Sequence, residues 1–325
     1  MRSILALIAL TAAAAVPHPA APAVPQNPAE TETATTTPPG AVPATDIFDL
    51  GAADSRMTVP VSIGADGPYH FIVDTGAERS VVSRELAGAL NLAAGRPVRV
   101  TTMAGTSELG TYRLPMLRAG TVAPAMIEAP VVDARNLGAP GMLGIDALKD
   151  RVVSIDFDKE VMEVRPAVRR RLAGSPGDIV IRAKNVYGQL IVTNAHYRGR
   201  RVSVVIDTGS PVTIGNMALK QRLRDDIPLG HVNLLAVTGQ WLGADYRALD
   251  RVTLGGIAFN KVRVAFADAV PFRRFGLTDT PALMLGMDAL RLFRRVQIDF
   301  ANREIRLTLP RAASDMPRRD LTFQR

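Results

Sequence analysis

Cysteine is absent from the 325 residues of this chain. The absence excludes disulfide bridges, thiol catalysis, thiolate zinc sites and a lipid-modified cysteine. Histidine is scarce, and its four copies show no paired metal-binding spacing, so we expect no metal site and no cofactor. The sequence also lacks a phosphate-binding loop and a Gly-x-Ser-x-Gly nucleophile motif.

Aromatic residues are few as well, at 5% of the chain, and the net charge of +8 comes from scattered arginines. Small basic clusters occur at 169–171, 200–201 and 294–295, but no aromatic residues interleave with them in a stacking pattern. We interpret the charge as a solvated basic surface and expect no nucleic-acid partner. Such a surface would favour weak association with anionic membranes or with acidic partner proteins.

The amino terminus has the composition of a secretory leader, which we assign to residues 1–15. One arginine precedes an apolar core that is too short to span a bilayer as a stable helix, and small residues follow. Residues 16–45 are rich in Pro, Ala and Thr and predict a disordered tether. We therefore expect an exported bacterial protein, periplasmic or secreted; anchoring in the inner membrane through an uncleaved leader is the alternative.

Two Asp-Thr-Gly triplets, Asp74–Gly76 and Asp207–Gly209, are the most informative feature of the chain, and each ends an apolar run. Two further landmarks follow both triplets in the same order. They are a Leu-Gly-x-Asp-Ala-Leu segment at 143–148 and 285–290, and an Ile-Asp-Phe segment at 155–157 and 298–300. The chain therefore contains two copies of one lobe.

The landmarks divide the chain into a first lobe at 46–167, an interlobe linker at 168–177, a second lobe at 178–310 and a basic tail at 311–325. β-Branched or alternating runs predict strands, among them 57–63, 152–155, 190–192 and 262–266. Short helices are expected around 83–91, 147–150, 216–223 and 289–293.

The paired landmarks resemble those of the aspartic proteases, in both their single-chain pepsin-like and half-length retropepsin-like forms. The resemblance implies a mostly β fold of two homologous, six-stranded-type β-barrel lobes, related by a pseudo-two-fold axis and carrying few short helices. It implies that each Leu-Gly-x-Asp segment closes its lobe beside its own Asp loop. It also implies a catalytic dyad of Asp74 and Asp207, supported by Thr75, Gly76, Thr208, Gly209 and Ser210, with the two threonines hydrogen-bonded across the axis.

Two neighbouring carboxyl groups suit the hydrolysis of an amide. Carboxylates about 3 Å apart share one proton, because both cannot ionise comfortably. The ionised member takes a proton from water while the protonated member polarises the carbonyl group. We expect Ser210 to donate a hydrogen bond to Asp207, which Ala77 cannot do for Asp74. This difference predicts that Asp207 is the ionised member and Asp74 the protonated one.

Hairpins are expected at 100–108 and 235–241, where the family places a flap over the substrate. The residues that we assign to flaps and substrate binding are Met103, Gly105, Gly239 and Trp241. Ordinary surface hairpins are the alternative. Trp241 either lines a substrate pocket or packs beneath its hairpin.

The resemblance implies an aspartic endopeptidase that hydrolyses peptide bonds with a water molecule activated between two carboxylates. A peptide or protein is then the substrate, and one chain suffices as a monomer with pseudo-dimeric lobes because it carries both aspartates. Two alternatives remain: a catalytically silent peptide-binding protein of the same fold in the cell envelope, and a structural protein of the envelope surface. Intact triplets in both lobes favour the enzyme.

Overall fold

The computed structural model describes residues 7–11, 46–49, 51–53, 56–120, 122–123, 126–168, 178–224, 226–310 and 320–322. The predicted tether lies outside these residues, and so does the predicted leader apart from 7–11. The linker lies outside them after Val168, and only 320–322 of the basic tail are described.

The first half of the described chain forms fourteen strands and three short helices. The strands are β1 (Leu7–Thr11), β2 (Asp46–Asp49), β3 (Gly51–Ala53), β4 (Arg56–Ile63), β5 (Asp66–Val73), β6 (Val81–Ser83), β7 (Val98–Thr102), β8 (Thr106–Leu109), β9 (Thr111–Pro115), β10 (Leu117–Arg118), β11 (Met126–Val132), β12 (Gly141–Leu143), β13 (Arg151–Asp156) and β14 (Val161–Pro166). The helices are α1 (Arg84–Ala89), α2 (Ala134–Leu137) and α3 (Ile145–Leu148).

The second half repeats this inventory with another fourteen strands and three helices among the described residues. The strands are β15 (Asp178–Arg182), β16 (Lys184–Val186), β17 (Gln189–Tyr197), β18 (Arg200–Ile206), β19 (Ile214–Gly215), β20 (Ile227–Leu235), β21 (Trp241–Leu249), β22 (Val252–Leu254), β23 (Ile257–Asn260), β24 (Val262–Phe266), β25 (Ala282–Leu285), β26 (Arg295–Asp299), β27 (Glu304–Thr308) and β28 (Asp320–Thr322). The helices are α4 (Met217–Lys220), α5 (Val270–Arg274) and α6 (Met287–Leu290).

The first lobe is built on an eight-stranded sheet in the order β10-β4-β5-β12-β6-β11-β9, with β3 paired to β4. β12 carries the first Leu-Gly landmark and runs parallel to β5, so that Met142 pairs with Ile72. The amide of Asp74 donates to the Leu143 carbonyl at 2.9 Å. This pairing places the closing segment beside the first Asp loop, as expected.

The second lobe repeats the pattern in an eleven-stranded sheet, in which β25 runs parallel to β18. Met284 pairs with Val205, and the amide of Asp207 donates to the Leu285 carbonyl at 3.0 Å. The prediction of a mostly β fold with duplicated barrel-like lobes and few short helices is thus confirmed. The lobe sheets hold more than six strands because the hairpins of each lobe extend them.

The lobes share a six-stranded sheet in the order β15-β27-β26-β13-β14-β2, which the sequence did not reveal. At its centre β13 runs antiparallel to β26, with Ser154 opposite Gln297. These two residues each precede an Ile-Asp-Phe aspartate by two positions, so the pseudo-two-fold axis passes between them. Arg295 Nη2 bonds Asp156 Oδ2 at 3.0 Å across this junction.

The largest buried apolar cluster spans both lobes and the strands of the shared sheet. Two smaller clusters flank the Asp loops, one in each lobe. Every helix of the described residues is too short to cross a membrane. Two of the short helices begin at a side-chain cap: the Ser83 hydroxyl accepts from Leu86 N before α1, and the Asn216 side chain accepts from Leu219 N before α4.

Candidate active site

The two triplet aspartates lie at the ends of equivalent strands, and their side chains are fully buried. The amide of Gly76 donates to Asp74 Oδ1 at 2.7 Å, and the amide of Gly209 donates to Asp207 Oδ1 at 3.0 Å. Each carboxyl group is therefore held by the turn that follows it, in the same way in both lobes.

Reciprocal hydrogen bonds between the threonines join the two Asp loops. The amide of Thr75 donates to Thr208 Oγ1 at 3.0 Å, and the amide of Thr208 donates to Thr75 Oγ1 at 3.3 Å. Each hydroxyl in turn donates to a carbonyl of the opposite lobe, that of Ile206 at 3.1 Å and that of Val73 at 2.7 Å. This is the arrangement that the resemblance implied, and it holds the two loops in register.

Each triplet glycine leaves space for the carboxyl group of the opposite lobe. A Cβ atom on Gly76 would lie 2.7 Å from Asp207 Oδ1, and one on Gly209 would lie 2.1 Å from Asp74 Oδ2. Real Cβ atoms do not approach so closely, so no other residue fits without moving a carboxyl group. The two aspartates consequently meet at the interface of the lobes.

The environment of the pair raises both pKa values. Burial and the neighbouring charge of Asp207 raise the pKa of Asp74 well above its ordinary value, against the opposing effect of the Gly76 and Ala77 amides. Burial raises the pKa of Asp207 to about 6, and the amides of Gly209 and Ser210 oppose the rise. Two such neighbouring carboxyl groups share one proton, because both cannot ionise comfortably.

One oxygen of each aspartate remains open to chemistry. Asp74 Oδ2 and Asp207 Oδ2 are buried and accept from no amide or other donor in the described part of the chain, while the two carboxyl groups lie close enough to hydrogen-bond each other. A water molecule or a substrate carbonyl is the kind of group that such atoms bind. The Oδ1 atoms are fixed by the amides of the loops, so a bound group would meet the Oδ2 atoms.

The prediction for Ser210 is wrong in its mechanism. Its hydroxyl donates to the Val212 carbonyl at 2.7 Å rather than to Asp207. The support for Asp207 comes from the backbone amide of Ser210, and the amide of Ala77 does the same for Asp74. The assignment of Asp207 as the ionised member and Asp74 as the protonated one stays a prediction.

Sequence reasoning missed two buried side chains that reach toward the dyad. Gln189 Nε2 donates to the Gly76 carbonyl of the opposite lobe at 2.8 Å. Arg56 is 1% exposed, and its Nη2 donates to the Leu137 carbonyl at 2.8 Å; its charge is the smallest of the effects that oppose the rise in the pKa of Asp207 caused by burial. The sequence held one signal: Arg56 and Gln189 stand the same number of positions before the aspartate of their own lobe. Their residue types differ, so no shared motif connected them.

An ion pair closes the junction between the first Asp loop and the second lobe. Arg274 of α5 bonds Glu78 Oε1 through Nη2 at 2.6 Å and through Nε at 3.2 Å, and both side chains are largely buried. The Arg274 guanidinium also lies 4.4 Å from the centre of the Tyr187 ring. This contact holds α5 against the loop that carries Asp74.

The two predicted hairpins exist, and their tips dock on opposite lobes. Met103, at the tip between β7 and β8, is 2% exposed and belongs to a buried cluster of the second lobe with Val205 and Phe272. Its carbonyl accepts from Val270 N of α5 at 3.2 Å. Val237, at the equivalent position of the second tip, is buried in the first-lobe cluster with Ala77.

The tips also meet each other. A Cβ atom on Gly105 would lie 2.9 Å from Gln240 Oε1 of the opposite tip, and one on Gly239 would lie 3.0 Å from Asn136 Nδ2 of the first lobe. With both tips docked and both aspartates buried, this conformation is closed.

Trp241 takes neither of the two predicted positions. It pairs with Leu235 at the base of the second tip, and the residue is 57% exposed. The side chain therefore neither packs beneath the hairpin nor lines a pocket in this conformation.

Asp146 and Asp288, of the two closing segments, are bound inside their own lobes. Asp146 Oδ1 accepts from Ser80 N at 2.8 Å and from Ser80 Oγ at 2.7 Å, and Asp288 Oδ1 accepts from Thr213 Oγ1 at 2.8 Å. Burial raises the pKa of both carboxyl groups, that of Asp288 to about 6. In the part of the chain that the structure describes, no three His, Asp or Glu side chains gather as a metal site.

Comparison with known proteins gives one family. The chain matches the family described as aspartyl protease over residues 59–147 and again over residues 193–289, more than half of its length. Each match contains one Asp-Thr-Gly triplet and one Leu-Gly-x-Asp segment. A search of the curated proteins finds no match. With the two buried aspartates joined across duplicated lobes, these matches show that the chain belongs to the aspartyl protease family.

Proposed function

We propose that this protein is an aspartic endopeptidase in which Asp74 and Asp207 activate a water molecule between them. The proposal rests on the pair of buried carboxyl groups at the interface of the lobes. Two symmetry-related loops hold them, their pKa values are raised, and their Oδ2 atoms accept from no protein donor in the described residues.

The reaction needs one ionised and one protonated carboxyl group. The carboxylate takes a proton from water while the water oxygen bonds to the carbonyl carbon, and the protonated acid gives its proton to the carbonyl oxygen. A neutral tetrahedral diol results. The acid that took its proton from water then gives that proton to the amide nitrogen, the carbon–nitrogen bond breaks, one diol hydroxyl gives its proton to the other carboxylate, and a carboxylic acid and an amine leave. No cofactor enters this sequence.

The ionisation of Asp207 should set the acidic limit of activity. The pKa of Asp207 is raised to about 6 by burial, and that of Asp74 lies well above its ordinary value. The singly protonated pair forms between these two ionisations, so we expect the acidic limb of the kcat/KM profile near pH 6.

We further propose that the substrate is a peptide or protein with apolar side chains beside the cleaved bond. The clusters that flank the Asp loops are apolar, and each is now partly filled by the tip of the opposite hairpin. Withdrawal of Met103 and Val237 would expose apolar surface on both sides of the dyad, and the hairpins would then act as flaps.

Several broader expectations belong to the same proposal. We propose an exported protein, periplasmic or secreted, that acts as a monomer and does not bind nucleic acid. The net charge of +8 supports weak contact with anionic membrane surfaces. A catalytically silent peptide-binding protein could have the same fold, but binding alone would give the two intact Asp-Thr-Gly triplets no role.

Digestion of a fluorogenic peptide library by the purified protein tests the proposal. The wild type should cleave, pepstatin should inhibit it, and Asp74→Asn and Asp207→Asn should each lower kcat by at least about 10³-fold while near-UV circular dichroism stays unchanged. Asp279→Asn, at an exposed position, is the matched control. Binding of library peptides without cleavage from pH 3 to pH 9 would identify a silent binding protein instead.

A further inference from the structure

The turn between β16 and β17 of the second lobe lies against the first lobe. Val186 pairs with Gln189, so Tyr187 and Gly188 form a two-residue turn. Both turn residues have a positive φ, 52° and 91°, as a tight β-hairpin of this length prefers. A Cβ atom on Gly188 would lie 3.2 Å from Ile145 Cγ2 of α3, so the tip of this hairpin crosses to the lobe that supplies Asp74.

Gln189, the residue that follows the turn, reaches the first Asp loop. Its side chain is fully buried, and its Nε2 atom donates to the Gly76 carbonyl at 2.8 Å. Its Oε1 atom is buried and accepts from no donor in the described residues. Burial of an amide oxygen without a partner costs free energy, so the bond to Gly76 is the interaction that this side chain contributes.

The Gly76 carbonyl and the Ala77 amide belong to the same peptide group. This group is planar, and its oxygen and its N–H point in opposite directions. The Ala77 amide donates to the Asp74 carboxyl group, as the Gly76 amide does at 2.7 Å. The bond from Gln189 to the oxygen therefore fixes the direction of the Ala77 N–H. It also polarises the peptide group, which strengthens the bond that the N–H donates.

The following carbonyl groups of the loop are held by residues of the first lobe itself. The Ile145 amide donates to the Ala77 carbonyl at 2.9 Å, and the Asp146 amide donates to the Glu78 carbonyl at 3.2 Å. Neither bond involves the Gly76 carbonyl. The peptide group that orients the Ala77 amide is thus held from the opposite lobe.

We propose that Gln189 is a positioning residue of the dyad: it holds the Gly76–Ala77 peptide group so that the Ala77 amide faces Asp74. The inference rests on the proposed hydrolytic function, because it assigns a role in the same site. Gln189 acts through this peptide group and takes no part in the proton transfers. Since the bond crosses the interface, the second lobe helps to orient the carboxyl group that the first lobe supplies.

Gln189→Met tests the proposal, because methionine has a similar length but no donor. We expect kcat to fall about 10-fold with KM nearly unchanged, since the loss affects a catalytic group and not the binding surfaces. Gln189→Glu can donate only while its carboxyl group is protonated, so its kcat relative to that of the wild type should fall as pH rises. Gln221→Met, the same substitution at an exposed position, is the matched control and should keep both constants.

NMR spectroscopy separates this proposal from the proposed function, because it needs no turnover. In Gln189→Met the Ala77 amide proton should move upfield as its bond to Asp74 weakens. That bond favours the ionised form of Asp74, so the higher of the two apparent pKa values of the pair, read from the carboxyl ¹³C resonances, should rise. Asp207 and the Glu78–Arg274 pair, the charged groups beside the loop, are the same in the variant and the wild type.

These shifts decide the proposal even if the wild type cleaves no peptide. A wild-type Ala77 resonance and a wild-type titration in folded Gln189→Met overturn it, and so does a rise in KM with kcat unchanged. If Gln189→Met does not fold, Gln189→Asn takes its place. Its amide is one methylene group shorter and cannot reach the Gly76 carbonyl, so the same outcomes support or overturn the proposal.

Discussion

At the scale of single residues, the site depends on how closely the loops approach each other. The Cγ atom of Asp74 lies 2.1 Å from where a Cβ atom of Gly209 would stand. The carboxyl group is fully buried, so it has no open space into which to retreat. A single methyl group at this position should therefore displace the acid.

Gly209→Ala is expected to lower kcat by about 100-fold or more, because a shift of about 1 Å in a catalytic group has effects of that size. The matched control is Gly88→Ala in α1, where a Cβ atom meets nothing within 4 Å. The control should keep its activity and gain about 0.5–1 kcal/mol of stability. Steady-state kinetics and urea unfolding measure both effects; wild-type kcat in Gly209→Ala would contradict the close approach.

Asp288 should contribute a pH dependence to stability rather than to catalysis. Burial raises its pKa from 3.8 to about 6, so between these values the native state holds a proton that the unfolded state has lost. The free energy of unfolding then falls as pH rises through this window, by about 3 kcal/mol in total. Below about pH 4 this loss is absent, since both states are protonated.

Asp288→Asn should remove the contribution of Asp288 to the pH dependence of the free energy of unfolding. The stability of the variant, compared with that of the wild type, should therefore be greater near pH 7 than at pH 4. Its amide oxygen can still accept from Thr213 Oγ1, and its nitrogen replaces an Oδ2 atom that has no partner in the described residues. Urea unfolding at both pH values measures the difference. Asp279→Asn is the exposed control, and an Asp288→Asn curve parallel to the wild type would refute the expectation.

At the scale of elements, the tip of each hairpin packs against one short helix of the opposite lobe. The β7–β8 tip contacts α5 through the bond from Val270 N to the Met103 carbonyl, at 3.2 Å. The β20–β21 tip lies against α2 through the close approach of Gly239 to Asn136. These helices have five and four residues, too few for a helical period, which is why the sequence did not predict them.

Joining the two tips should stop turnover. The chain has no cysteine, so Gly105→Cys combined with Gln240→Cys supplies the only two thiols, at positions that are in contact in the closed conformation. A short bis-methanethiosulfonate reagent should abolish cleavage of a peptide, because docked tips bury both aspartates, and reduction should restore it. Each single cysteine variant is the control; undiminished cleavage by the cross-linked protein would show that substrate enters by another route.

At the scale of the whole molecule, the lobes are one unit because three kinds of contact cross between them. The shared sheet pairs β13 with β26, the threonines bond reciprocally, and Arg274 binds Glu78. Each lobe supplies one aspartate, so neither lobe holds a complete site. A single chain contains both.

We therefore expect activity without dimerisation. Activity per chain should stay constant on dilution, and sedimentation of the active protein should show a monomer. Mixing Asp74→Asn with Asp207→Asn should restore no cleavage, since no molecule in the mixture carries both acids. Recovery of activity in the mixture would mean that lobes of different chains combine.

The sequence by itself determined the duplication, the mostly β lobes and the identity of the two aspartates. These properties are carried by short contiguous patterns, the Asp-Thr-Gly turn, the Leu-Gly-x-Asp segment and alternating strands, whose geometry depends on near neighbours in the chain. The reciprocal threonine bonds followed from the same turn, because two copies of one loop facing each other across an axis can bond in only a few ways.

Only the tertiary structure decided which side chains surround the dyad. Ser210 had the right spacing to serve Asp207, but its hydroxyl donates to the Val212 carbonyl instead. Gln189 reaches the Gly76 carbonyl of the opposite lobe from eighteen residues before Asp207, and the shared sheet and docked tips pair segments far apart in the chain. Such contacts depend on how the two lobes pack against each other. Residues far apart in the chain decide this packing, so a short sequence pattern does not predict it.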